Sequence, residues 1–173
     1  MPNQWTRKAI EFNGFSISYL EGGHESGGYP VLFLHGWGVS TEPYREYLEI
    51  LAEKYWVIAP DLPGFGRSSC SRSLTSYQTY ANCILQLIER LNLDRFLMQS
   101  LMGETPKTAL HRFTPLEIGY SLVETISNSQ LQIVPEGYHE DCMMQPEAIA
   151  TITLDFLNSI ESTTQIDYES SPK

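Results

Sequence analysis

The sequence predicts an α/β domain with a mainly parallel sheet flanked by helices. Two observations carry that prediction. "VLFL" (Val31–Leu34) and "WVIAP" are short, continuous apolar runs, the pattern of strands buried on both faces. Between such runs lie stretches with apolar residues at helical spacing, and strand–helix alternation in this order argues for parallel pairing.

Each element can be justified in turn. "KAIEFNGFSISYLEGG" reads as two strands around Asn13-Gly14, a strong hairpin signal. A Gly-rich loop leads into Val31–Leu34. From about Glu42 a helix carries Tyr44, Leu48 and Leu51 on one stripe. "WVIAP" follows, stopped by Pro60. "SYQTYANCILQLIERLNL" sets Tyr77, Tyr80, Ala81, Ile84, Leu85, Ile88 and Leu91 at helical spacing, and "RFLM" reads as the next strand. "TPLEIGYSLVETIS" opens with Thr114 as cap, Pro115 in the first turn and Glu117 three after the cap, a capping box. "LQIVP" reads as a strand. "QPEAIATITLDFLNSI" reads as a helix with Ile149, Ile152, Phe156 and Ile160 inward. The expected division is one domain over 1–162 and a disordered acidic tail over 163–173.

Composition narrows the function. The 173 residues suit one domain, and 42% of them are hydrophobic, enough for a core. Eleven Lys and Arg against 21 Asp and Glu give a net charge of −10, which repels nucleic acid and anionic membrane surfaces. No apolar run approaches the ~18 residues of a membrane span, and "MPNQWTRKAIEF" has no apolar signal core. Three cysteines, Cys70, Cys83 and Cys142, at spacings that match no metal motif, predict reduced thiols and a cytoplasmic setting without a metal site.

In parallel sheets, chemistry gathers beyond the C-terminal strand ends. Three motifs stand there. "HGWGVS" follows directly on Val31–Leu34, and its glycines leave backbone N–H groups available, as an oxyanion hole requires; an ordinary Gly-rich turn has the same appearance. In "APDLPGFGRSS", Asp61 is either catalytic or bonded to its own loop. In "IVPEGYHEDCMMQPE", His139 follows a strand after a Gly-containing turn, the position of a general base.

Together the three stretches resemble the α/β-hydrolase superfamily, in particular its small, cofactor-free, esterase-like and lipase-like branch. The resemblance runs from residue 8 to about 100, then from about 112 to 160. It implies a serine hydrolase acting on a small-molecule ester, with no cofactor, His139 as base, and the backbone N–H groups of Trp37 and Leu101 as the oxyanion hole.

The resemblance also implies a nucleophile elbow, G-x-S-x-G, in "DRFLMQSLMGE". Two registers are open. With Ser100 as nucleophile, the crowded flanking positions hold Met98 and Met102, where glycine avoids a clash. With Gly103 as the second glycine, the nucleophile position holds Leu101, which has no reactive group. The acid position falls on His111, which cannot serve as the anionic partner of an imidazolium. From Gly103 to Thr114 is only eleven steps along the chain, so the reading is a truncated α/β-hydrolase fold lacking central strands and lid. In such a sheet, Leu131–Val134 is expected to pair in parallel beside Phe96–Met98. An unclosed edge would promote homo-oligomers. The alternative to an impaired esterase is a non-catalytic relic or truncated product, binding a small molecule or a partner.

Overall fold

The structure, a computed structural model, describes residues 5–26, 30–36, 38–70, 77–93, 97–100 and 141–169. The order of elements is β1 (Thr6–Phe12), β2 (Phe15–Gly22), β3 (Val31–Leu34), α1 (Arg45–Ala52), β4 (Val57–Pro60), β5 (Ser69–Cys70), α2 (Tyr77–Arg90), β6 (Leu97–Ser100), α3 (Asp141–Met144) and α4 (Pro146–Glu169). The sheet runs β1-β2-β4-β3-β6, with β5 on β2. It is parallel across β4-β3-β6 and antiparallel wherever β2 takes part, so the hairpin makes it a mixed sheet.

The hairpin forms where the sequence places it. Asn13 and Gly14 have φ of 49° and 82°, the two positive values a two-residue turn of matching twist needs, and Phe12 pairs with Phe15 across it.

The two buried strands sort their side chains by alternation. Val31, Phe33, Val57 and Ala59 enter one core layer, with Tyr44, Tyr47, Leu48 and Leu51 of the α1 region and Ile149, Ala150 and Leu157 of α4. Leu32 and Ile58 enter the other, with Ile17, Tyr19 and, from α2, Cys83, Ile84 and Leu87. A helix layer thus covers each face of the sheet. Tyr47 Oη and Thr153 Oγ1, 3.0 Å apart, tie α4 to α1.

Three details differ from the sequence reading. Leu85 is 55% exposed. It lies on a helical stripe by spacing, but about 100° per residue puts it well away from Leu87, around which the buried face is built. Ile152 is 37% exposed, whereas Ala150 is fully buried. The small Ala150 sets the line along which α4 approaches α1, and Ile152 is turned to the margin. Last, α4 continues to Glu169, into the stretch expected to be a tail from 163. Extending a formed helix adds one hydrogen bond per residue fixed, and no Gly or Pro interrupts this one before Pro172.

The expected helix from Thr114, the strand "LQIVP", its pairing beside β6, the missing central strands and the open edge all lie outside the described residues. Among the described residues, no helix is long and apolar enough to cross a membrane. The three cysteines form no disulfide, and burial pushes the Cys83 and Cys142 thiols up to about 12.

The layer assignment predicts a contrast between two leucines. Leu51→Ala, at a fully buried site, is expected to lower the unfolding free energy by about 2–5 kcal/mol. Leu85→Ala should stay within about 0.5 kcal/mol. Urea unfolding of both variants checks this.

Candidate active site

The C-terminal ends of β4, β3 and β6 share one edge of the sheet. Val31 pairs with Val57 and Leu32 with Ile58; Val31 pairs with Leu97 and Leu34 with Ser100. Ser100, the last residue of β6, therefore stands level with the last residue of β3. Adjacent strands are ~4.8 Å apart, so the loop opening at His35 begins beside Ser100. Asp61, directly after β4, opens the third loop at this edge.

Asp61 is 1% exposed. One carboxylate oxygen accepts the Thr41 N–H at 2.8 Å, and the other accepts the Arg67 N–H at 3.0 Å and an Arg7 guanidinium N–H at 3.2 Å. Burial alone would push the carboxyl up. The hydrogen bonds from Arg67 and Thr41, with the Arg7 charge, more than offset this and hold it below its ordinary 3.8. The backbone of the same residue is also tied: its N–H donates to Ser18 O at 2.8 Å, and its carbonyl accepts the Ser68 hydroxyl at 2.7 Å.

The spacing of "DLPGFGRS" follows from this carboxylate. Gly66 has φ of +55°, and a Cβ there would lie 2.4 Å from Asp61 Cγ. Only glycine lets the chain pass so close. Of the two readings of Asp61, the structure supports the one in which it holds its own loop.

His35 is 3% exposed. Its Nε2 accepts the Leu62 N–H at 2.8 Å, so that nitrogen carries no proton. Its Nδ1 then donates to Gly36 O at 2.7 Å, which makes the ring a neutral Nδ1–H imidazole. The ring stands edge-on to Phe65, centroids 6.1 Å apart. The side chain thus joins the loop after β3 to the loop after β4.

Among the residues expected at the site, the structure brings Ser100 level with the start of the His35 loop. Trp37, Leu101, His111 and His139 lie outside the described residues. Sequence reasoning missed Arg7, which bonds Asp61, Ser18 Oγ at 3.2 Å and Glu42 Oε2 at 2.7 Å from a different strand. It also missed the side-chain roles of His35 and Ser68. Polar residues inside otherwise apolar or glycine-rich loops were the available signal.

A family model for the alpha/beta hydrolase fold matches residues 29–99, the segment that contains β3, β4 and both loops. Over this segment the chain has the α/β-hydrolase fold. The soluble epoxide hydrolase of Corynebacterium sp. (strain C12) is 34% identical over 55% of this chain and 32% of that protein. The haloalkane dehalogenase of Psychrobacter cryohalolentis is 39% identical over 47% of this chain and 28% of that protein. The chain thus spans about a third of the length of the curated relatives it matches. A predicted CIB-like hydrolase from Thermoplasma acidophilum, of known structure, aligns with a TM-score of 0.68 at 20% identity, over 91% of this chain and 99% of that one. This last likeness is one of fold. It shows that a similar arrangement also exists in a chain hardly longer than the part of this one it matches.

The Asp61 network makes a pH-dependent prediction. A carboxyl held below its ordinary 3.8 stabilises the fold fully above that value and progressively less as pH falls through the folded-state value. Asp61→Asn is expected to cost about 3 kcal/mol or more at neutral pH, because it strands buried donors. The stability of Asp61→Asn should also fall less steeply than the parent's below about pH 4. Urea midpoints measured across the acid range decide both.

Proposed function

We propose that this α/β-hydrolase domain is an ester-type serine hydrolase of impaired rate, acting on small activated esters. The observation that carries the reading is the parallel register of Leu34 with Ser100, which sets a serine beside the loop that opens with His35-Gly36. The match of residues 29–99 to the alpha/beta hydrolase fold and relatives named as hydrolases support the reaction class.

In this reading Ser100 Oγ attacks the ester carbonyl carbon and His139 takes its proton. The backbone N–H groups of Trp37 and Leu101 receive the developing oxyanion. The C–O bond to the leaving alcohol breaks as His139 returns the proton, and a water then releases the acid and frees Ser100. Two features of the sequence slow the cycle. Met98 and Met102 flank the serine where small residues are needed, and His111 stands at the position of the acid. Loss of the anionic partner alone can cost ~10⁴-fold in rate.

A second reading, a non-catalytic module that binds a small molecule or a partner, is favoured by a separate observation. His35, Asp61, Gly66 and Ser68 each do a structural task in the loops they occupy. Folding alone therefore accounts for their presence.

Slow turnover of nitrophenyl acetate by the purified chain is expected, with Ser100→Ala and His139→Ala each reducing it to background. Ordinary lipids and amides should not be turned over. A serine-directed fluorophosphonate should label the parent and His139→Ala weakly, and Ser100→Ala not at all. Equal inactivity of all three, with no labelling of any, favours the binding module. Hydrolysis of unactivated esters at ordinary enzyme rates, abolished by Ser100→Ala, would show the site to be unimpaired.

A further inference from the structure

The His35 side chain offers a route from the buried scaffold to the reacting atoms. Two hydrogen bonds of its ring differ in meaning. Nε2 takes the N–H of Leu62, the residue next to Asp61, so the ring is referenced to the loop that Asp61 holds rigid. Nδ1 donates to Gly36 O at 2.7 Å. A peptide unit is planar, and in the trans form its N–H points opposite to its C=O. A bond to Gly36 O therefore restrains the Gly36 carbonyl, at the start of the loop to which the proposed function gives the oxyanion.

The turn that presents Leu62 is itself closed, with Phe65 N–H donating to Leu62 O at 2.9 Å and the Phe65 ring meeting His35 edge-on. Each contact in the series, from Asp61 through Leu62 and His35 to Gly36, is short, and both side chains in it are buried.

We infer that His35 is a positioning residue of the oxyanion loop: as a neutral Nδ1–H imidazole it couples the direction of the Gly36 peptide to the Asp61 loop. It touches no substrate and exchanges no proton. The inference rests on the serine-hydrolase reading for its catalytic consequence, but not for the coupling itself. An imidazolium would abolish the link, because a protonated Nε2 cannot accept from Leu62. Glutamine, whose side-chain oxygen reaches about as far as Nε2, can restore the Leu62 bond. Phenylalanine fills the space and cannot.

The test uses the full chain, isotopically labelled, with three readouts. Long-range proton–nitrogen spectra of the parent should show His35 with Nδ1 protonated and Nε2 bare; the opposite tautomer overturns the inference. Amide exchange at Leu62 should rise about tenfold or more in His35→Phe and stay within about threefold of the parent in His35→Gln, with the amides of α1 unchanged. Equal protection in all three overturns it. On nitrophenyl acetate, His35→Phe should lower kcat about tenfold with little change in KM, and His35→Gln should recover part of the loss. Unchanged kcat in a His35→Phe variant whose Leu62 has lost protection overturns the positioning role. A parent with no turnover defeats the serine-hydrolase reading alone, and the tautomer and exchange data still decide the coupling. Should His35→Phe not fold, the parent tautomer and His35→Gln decide it.

Discussion

Burying the Asp61 carboxylate obliges the chain to bring donors to it, and much of the C-terminal end of the sheet is the result. An ion taken out of water is tolerated only if its lone pairs are filled. The donors come from three separate places: Thr41 before α1, Arg67 in the loop's own return, and Arg7 on the hairpin. Each fixes a segment that would otherwise be independent. The loop after β4 closes tightly enough to need glycine at Gly66. Its rigid start then presents Leu62 to His35.

This bears on how much of the protein can be read from its sequence. Local rules were sufficient for the hairpin, because Asn13-Gly14 satisfies its turn with two adjacent residues. They were sufficient for β3 and β4, where burial on both faces leaves an unbroken apolar run. They misjudged Leu85 and Ile152, because spacing shows that a stripe exists and packing decides which side of it faces in. Ile152 lost its place to a smaller residue, Ala150, and large apolar side chains are what the eye selects. The position of Ser100 was legible as the end of a strand, and its level against Leu34 was not, since register is a relation between distant segments. Arg7 was illegible for the same reason: its partners Asp61 and Glu42 are 54 and 35 residues away.

The family resemblance was carried by motifs whose polar and glycine residues turn out to serve the backbone. "DLPGFGRS" is a set of instructions for enclosing a carboxylate, and the histidine of "HGWG" ties two loops together. Such motifs report descent and architecture reliably. They report chemistry only indirectly, because a domain that had ceased to react would still need them to fold. In the proposed reading activity turns on the residues around Ser100, and there the sequence departs from the G-x-S-x-G pattern in the methionines at 98 and 102.

The packing of α4 on α1 has a consequence for synthesis. Tyr47 and Thr153 meet across 106 residues of chain, and the layer holding Tyr44, Leu48 and Leu51 is completed by Ile149, Ala150 and Leu157. When the segment that matches the family model has left the ribosome, one face of its sheet has α1 but still lacks the part of its cover that α4 supplies. At ordinary elongation rates of about 5–20 residues per second, the nascent chain carries that apolar face through several seconds of translation. Over that interval the emerging protein is a natural client for a chaperone that shields hydrophobic surface, and it loses that character when the last helix docks.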